Sequence, residues 1–149
     1  MKTLAIGERY NAPLWEPNGC VRDSFAVRVV MGFYRTGHRR RFLRSVGIDW
    51  DDGVNLLWPH PSPGTWDAVE ARRVAGVVLQ DVSRYGRVLL FGRRVCDAFG
   101  VPFEVGSAHG RFVPLPHPSG LNRMWNSQST RETVRQVMVE TSGPSDLKL

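Results

Sequence analysis

Four short apolar segments, spaced along the chain with helical patterns between them, most constrain the fold. Apolar segments of this length are typical of strands that are buried on both faces of a sheet. Strands that alternate with helices along a chain favour a parallel sheet, because each return to the same edge needs a crossover. The sequence therefore predicts an α/β fold, a three-layer α/β/α sandwich with a four-stranded parallel sheet. The four predicted strands are residues 3–6, 54–58, 87–91 and 111–116.

Capping residues predict where the helices begin and end. Asp23 or Ser24 is expected to cap a first helix, and Thr65 the helix that carries the recurring apolar residues from Ala71 onward. Gly100 closes a short helix over 93–99. The segment 129–132 has the spacing of a capping box, with Ser129 as the cap of the last helix. The first strand is expected to end at Gly7, where the apolar pattern breaks.

Length and composition limit the class of protein. The 149 residues, 42% of them hydrophobic, suit one domain over 1–140 followed by a frayed tail over 141–149. No long apolar span and no secretory signal pattern are present, which predicts a soluble, globular protein with no membrane partner. We expect it to be an intracellular, cytoplasmic monomer. The two cysteines, Cys20 and Cys96, lie far apart and outside any CxxC pattern. We therefore expect no zinc site and no iron–sulfur cluster. Since the sequence also has no P-loop and no G-x-G-x-x-G motif, we expect no metal and no cofactor.

A net charge of +6 comes almost wholly from arginine. Arginine is well suited to phosphate, because its planar guanidinium donates two parallel hydrogen bonds. The densest basic run is 38–44, a predicted short helix that stops at Gly47. Two interpretations of this run stay open, a contact to the DNA backbone and a solvated helix face.

Polar segments follow three of the predicted strands. Because parallel strands end at the same edge of a sheet, these segments are expected to share one cleft. The last of them is the most informative, since Pro118 stiffens the chain between His117 and Ser119. Leu121, an apolar residue between polar neighbours, fits a wedge that enters a base stack while Arg123 meets phosphate. The three segments are 7–11, 55–64 and 117–123.

These segments, in this order, resemble the uracil-DNA glycosylase superfamily. The first is Gly7-Glu8-Arg9-Tyr10-Asn11, and the last is His117-Pro118-Ser119-Gly120-Leu121-Asn122-Arg123. Between them, the segment 88–93 resembles the family's third strand and the turn after it. The likeness runs from Leu4 to about Met138. It implies a uracil-DNA glycosylase-like fold and a hydrolase that releases a flipped uracil or otherwise modified base from single- or double-stranded DNA.

The resemblance also implies roles for individual residues. His117 matches the histidine that stabilises charge on the leaving base, and Leu121 matches the residue that fills the gap in the stack. Ser119 matches a serine that contacts phosphate, with Arg123 beside it. Asn55 lies where an amide reads the edge of the base. Arg9 and Tyr10 depart from the family's pattern. The residues expected to activate water are Glu8 first and Asn11 second, and those expected to stack on the base are Tyr10, Trp15 and Phe25.

Two other functions fit the same residues. A related enzyme with altered chemistry could act on a modified base or a free nucleotide, and the departure at Arg9 favours it. A non-catalytic DNA-binding module would keep the fold and the basic charge but have lost the residue that activates water. A free-nucleotide enzyme would have no use for a wedge at Leu121, whereas basic charge suits both DNA-directed functions.

Overall fold

A four-stranded parallel sheet forms the centre of the computed structural model, which describes residues 1–9, 25, 38–57, 66–119 and 122–142. The strand order across the sheet is β2-β1-β3-β4, and all three neighbouring pairs are parallel. The predicted α/β fold with four parallel strands is therefore confirmed. The strands are β1 (Lys2–Arg9), β2 (Asp52–Leu57), β3 (Tyr85–Phe91) and β4 (Phe112–Leu115).

Four helices are described around this sheet. Two short 3₁₀ helices, Val82–Arg84 and Arg123–Asn126, precede β3 and the last helix. Gly100 adopts the left-handed conformation at the end of the third helix, as the sequence predicts. The helices are α1 (His38–Ser45), α2 (Ala68–Leu79), α3 (Arg93–Phe99) and α4 (Gln128–Glu140).

The pleat of the strands divides the buried side chains between the two faces of the sheet. Leu4 and Ile6 belong to one apolar cluster, which also contains buried residues of α2 and α3. Ala5, between them, belongs to a second cluster with buried residues of α1 and α4. Side chains alternate along a strand, so the two clusters lie on opposite faces. Each fully buried Leu, Ile or Val contributes about 1.5–3 kcal/mol to folding relative to an exposed one, so both faces stabilise the sheet.

Several boundaries differ from the predicted ones, and those with a clear physical reason are the end of β1 and the caps of α2 and α4. β1 continues past Gly7, because its backbone still pairs with β2 through Arg9 and Leu57. The cap of α2 is Asp67, whose side chain accepts a hydrogen bond from the Glu70 amide at 3.0 Å. The cap of α4 is Ser127, whose Oγ accepts from the amide of Thr130. The capping box predicted at 129–132 is therefore wrong by two residues.

Several predicted features lie outside the described residues. They are the helix expected after Asp23 or Ser24, apart from Phe25, the proline-rich segment 59–64, and the tail beyond Ser142. Thr65 lies outside the described residues too, but the cap predicted there is wrong, because Asp67 caps α2. None of the helices in the described ranges combines the length and apolar character that a membrane crossing requires.

Candidate active site at the carboxyl edge of the sheet

The strand order predicts a crevice between the carboxyl ends of β1 and β3. β1 leads to β2 on one side, whereas β3 leads to β4 on the other. Neighbouring loops therefore diverge at this point, which is where open α/β sheets bind their ligands. Glu8 lies near the end of β1 and Gly92 follows β3 directly. His117, two residues beyond β4, reaches the same point.

Gly92 makes room for the acidic side chain of Glu8 and the imidazole of His117. Its φ of 96° and ψ of 160° lie in a region that is essentially restricted to glycine. A Cβ atom added there would lie 3.4 Å from both Oε2 of Glu8 and Cβ of His117. Glycine therefore lets the backbone after β3 approach both side chains closely.

The carboxylate of Glu8 lies near both the imidazole of His117 and the guanidinium of Arg94. Its Oε1 atom lies 3.6 Å from Nε2 of His117 and 4.0 Å from Nη1 of Arg94. The Glu8 side chain is 21% exposed and that of His117 is 36% exposed, so both are sheltered yet reachable from solvent. Arg94 also lies over the ring of Trp66, 5.5 Å from its centroid.

A backbone hydrogen bond fixes the tautomer of His117. The amide of Ser119 donates to Nδ1 of His117 at 3.1 Å. A backbone N–H is always a donor, so Nδ1 must accept and the proton of the neutral ring must be on Nε2. The N–H donor of His117 is therefore at the ring atom nearest Glu8.

The surroundings of His117 favour the neutral ring. Burial is the main cause and lowers the pKa of His117 below 6.5, while the nearby carboxylate of Glu8 acts in the opposite direction. The positive charges of Arg94 and Arg39 lower this pKa further. The ring is therefore neutral at pH 7, with one donor and one acceptor.

The main chain of the His117 loop is held from two sides. The His117 carbonyl accepts from Nδ2 of Asn122 at 2.9 Å and from Nε1 of Trp125 at 2.7 Å. From the other side, Nε of Arg39 donates to the carbonyl of Pro118, and one terminal nitrogen donates to that of Ser119 at 3.4 Å. These contacts hold the loop in place without using the ring of His117.

Much of the basic run 38–44 is engaged within the protein. In addition to Arg39, Arg40 contacts Asp49 at 3.2 Å and lies over the ring of Trp50. Arg44 contacts the same carboxylate at 3.2 Å, and together with the Trp50 amide these arginines help lower the pKa of Asp49 against the opposing effect of burial. Arg41 is exposed and contacts His38 on its own helix. The run is thus partly a structural element.

Asn55 lies on the strand next to Glu8. It is buried, in register with Gly7 of β1. Its neighbours Val54 and Leu56 belong to the cluster of α2 and α3, so alternation along β2 directs Asn55 to the other face.

The structure places the remaining predicted site residues as follows. Ser119 is half-buried in the His117 loop, and Arg123 is exposed at the start of the short helix after it. Phe25 is a core residue whose ring lies 6.2 Å from that of Tyr85 and beneath Arg84. Tyr85 begins β3, so the length of that strand separates Phe25 from His117, and the expected stacking role is wrong. Tyr10, Asn11, Trp15 and Leu121 lie outside the described residues.

Four residues of this site were not expected from the sequence: Arg39, Gly92, Arg94 and Trp125. The glycine that directly follows a predicted strand was a usable signal, because such a glycine often allows a close backbone approach. Arg94 lies in the first turn of a correctly predicted helix, facing the predicted site. Nothing in the local sequence indicates the bonds that Arg39 and Trp125 make to the distant loop.

Within the described ranges, no three His, Cys, Asp or Glu side chains are grouped so that they could hold a metal ion. Comparison of the chain with models of protein families, with curated proteins and with solved structures gives no match.

Proposed function

We propose that this protein is a DNA glycosylase that hydrolyses the N-glycosidic bond of a flipped uracil or otherwise modified base. The observation that supports this best is the pairing of His117 and Glu8 at the sheet edge. A neutral imidazole with its proton fixed on Nε2 lies 3.6 Å from a carboxylate. One group donates a hydrogen bond to developing negative charge, and the other attracts positive charge and a water proton.

The chemistry follows from how the bond breaks. When the bond between the sugar carbon and the base nitrogen breaks, its electron pair leaves with the base. Negative charge then develops on a carbonyl oxygen of the base, where the Nε2–H of His117 stabilises it; such a donor lowers a barrier by about 3 kcal/mol. The sugar carbon becomes cationic, and the carboxylate of Glu8 stabilises it and orients a water molecule. Water adds to that carbon, and its proton passes to Glu8.

Recognition of the base is assigned to Asn55. A side-chain amide offers both a donor and an acceptor, which is what the polar edge of a base requires. The His117 ring reaches the end of β1, and Asn55 lies on the adjacent strand in register with Gly7. Asn55 and His117 thus both lie towards the carboxyl edge of the sheet, where we propose that the base binds.

Binding to DNA is assigned to the basic charge and to the end of the His117 loop. Ser119 and Arg123 are proposed to contact phosphate, and Leu121 to fill the space left by the flipped base. The exposed position of Arg123 suits a backbone contact. A net charge of +6 favours association with a polyanion.

The test is base release from oligonucleotides that each carry one altered base, followed by alkaline scission at the site. Wild type is compared with His117→Ala, which removes the Nε2–H donor; we expect the rate to fall on the order of 100-fold while DNA affinity is retained. Equal rates for the two proteins would overturn the assignment of His117. DNA binding with no release from any substrate would favour a non-catalytic module, and cleavage of free nucleotides alone would favour the altered enzyme.

A further inference from the structure

Arg39 contacts the peptide group that supports the imidazole of His117. Its Nε donates to the carbonyl of Pro118, and a terminal nitrogen donates to the carbonyl of Ser119 at 3.4 Å. The Pro118 carbonyl and the Ser119 amide belong to the same peptide unit. That amide donates to Nδ1 of His117 at 3.1 Å. A continuous chain of hydrogen bonds thus runs from the guanidinium through one peptide to the imidazole.

We propose that Arg39 is a positioning residue that sets the tautomer of His117 by fixing the orientation of the Pro118–Ser119 peptide. The effect of Arg39 on base release rests on the proposed glycosylase activity, whereas its effect on the tautomer is independent of that activity. A peptide rotated by half a turn would present its carbonyl to Nδ1. The proton would then move to Nδ1, and Nε2 would become an acceptor with no hydrogen to donate to the base.

The environment of Arg39 suits this role. It lies in the first turn of α1 and is half-buried. Its guanidinium lies over the ring of Phe42, 4.3 Å from the centroid, and Phe42 packs edge-on against Trp125. Trp125 in turn donates to the His117 carbonyl. The guanidinium is thus held against the same group of residues that holds the loop, which limits its movement.

The cation also acts through the peptide that it contacts. A positive donor on a carbonyl polarises the peptide and strengthens its N–H as a donor, because hydrogen bonds in a chain polarise one another. The stronger N–H favours an accepting Nδ1. Arginine supplies two donors in a fixed fork and so holds both carbonyls together, whereas lysine supplies a single point charge.

The experiment measures the ring nitrogens of His117 by ¹⁵N NMR above the pKa of the ring, in wild type, Arg39→Met, Arg39→Lys and Arg73→Met. Arg73→Met is the matched control, because it removes one charge from an exposed Arg–Glu pair on α2. We expect wild type and the control to show a proton on Nε2 alone. Arg39→Met should show a mixture of tautomers, and Arg39→Lys a smaller share of the wrong one. A wild-type spectrum with the proton on Nδ1, or an unchanged tautomer in Arg39→Met, would overturn the proposal.

Two further readouts separate positioning from general stability. In Arg39→Met, kcat for base release should fall on the order of 10-fold with KM nearly unchanged, less than the ~100-fold expected for loss of the donor itself. The pKa of His117 should rise in Arg39→Met and stay near wild type in Arg39→Lys, since Glu8, Arg94 and Arg39 are the charged groups that act on it. If wild type releases no base, the tautomer measurement still decides the proposal. If Arg39→Met does not fold, the wild-type and Arg39→Lys spectra decide it.

Discussion

The Nε2 atom of His117 lies 3.6 Å from Oε1 of Glu8, and the amide of Ser119 occupies the other ring nitrogen. A hydrogen bond therefore holds one ring nitrogen, while the other faces the carboxylate. Its buried position outweighs the attraction of the carboxylate and keeps the pKa below 6.5. Such a ring acts as a neutral donor at physiological pH, which suits stabilisation of an anion that forms only during the reaction.

The lowered pKa of His117 predicts how stability depends on pH. Between the folded pKa and 6.5 the unfolded chain binds more protons than the folded chain, so the contribution of this residue is full above 6.5 and is lost as the pH falls below it. We expect the free energy of unfolding of wild type to fall more than that of His117→Gln between about pH 7.5 and about pH 5.5. Urea denaturation at both pH values measures this. Parallel pH profiles would contradict the burial of a neutral ring.

Replacement of Glu8 by glutamine tests the role of its carboxylate. The pKa of His117 should fall further in Glu8→Gln, because the carboxylate raises it. Base release should fall on the order of 100-fold or more, as expected when a general base is lost. NMR titration and the release assay measure the two effects separately. Asn11→Ala is the rival variant: a larger loss of release there than in Glu8→Gln would assign water activation to Asn11.

Replacement of Gly92 by alanine should damage both stability and the site. The positive φ alone costs about 1–3 kcal/mol for a residue with a Cβ, and here the added Cβ would also lie 3.4 Å from Glu8 and His117. Gly100→Ala is the matched control, because Gly100 also has a positive φ of 68° but nothing within 4 Å of an added Cβ. We expect both variants to lower the melting temperature and only Gly92→Ala to slow base release in the folded protein. Equal release rates would show that the close approach at Gly92 has no role in the site.

The contacts of the basic run 38–44 predict which of its arginines would affect the salt dependence of DNA binding. Arg39, Arg40 and Arg44 contact the protein itself, so Arg41 is the better probe of a DNA contact. If Arg41 meets phosphate, Arg41→Gln should weaken DNA binding and reduce the slope of log affinity against log salt by about 1. Arg73→Gln, which removes an exposed charge elsewhere, controls for net charge. An equal effect of the two variants would assign the exposed part of the run to the solvated helix face.

The sequence alone predicts those elements whose signals lie within the element itself. The helix over 93–99 and its closing Gly100 were predicted as they occur, because a glycine in the left-handed conformation ends a helix by itself. The apolar pattern does not predict the end of β1, since it stops at Gly7 while pairing with the neighbouring strand continues to Arg9. Backbone pairing is set by the partner strand, which a local pattern does not contain.

The same distinction applies to the site. Glu8, Asn55 and His117 could be placed at one edge because parallel strands end together. The contact of Arg39 with the His117 loop joins residues 79 and 80 positions apart, and a side chain that binds a backbone carbonyl leaves no pattern in the sequence. Phe25 is a core residue, and the sequence does not distinguish an aromatic residue of the core from one that lines a site.

The central position of β1 has a consequence for folding. This strand pairs with β2 on one side and with the much later β3 on the other, so Glu8 is held in place only when distant parts of the chain have come together. Contacts of high sequence separation form late, because the entropy of closing long loops is lost before they stabilise anything. In a partly folded chain, Glu8 and His117 would therefore not be in their native arrangement. During denaturation, we expect the geometry of Glu8 and His117 to disappear together with the sheet itself, in one cooperative transition.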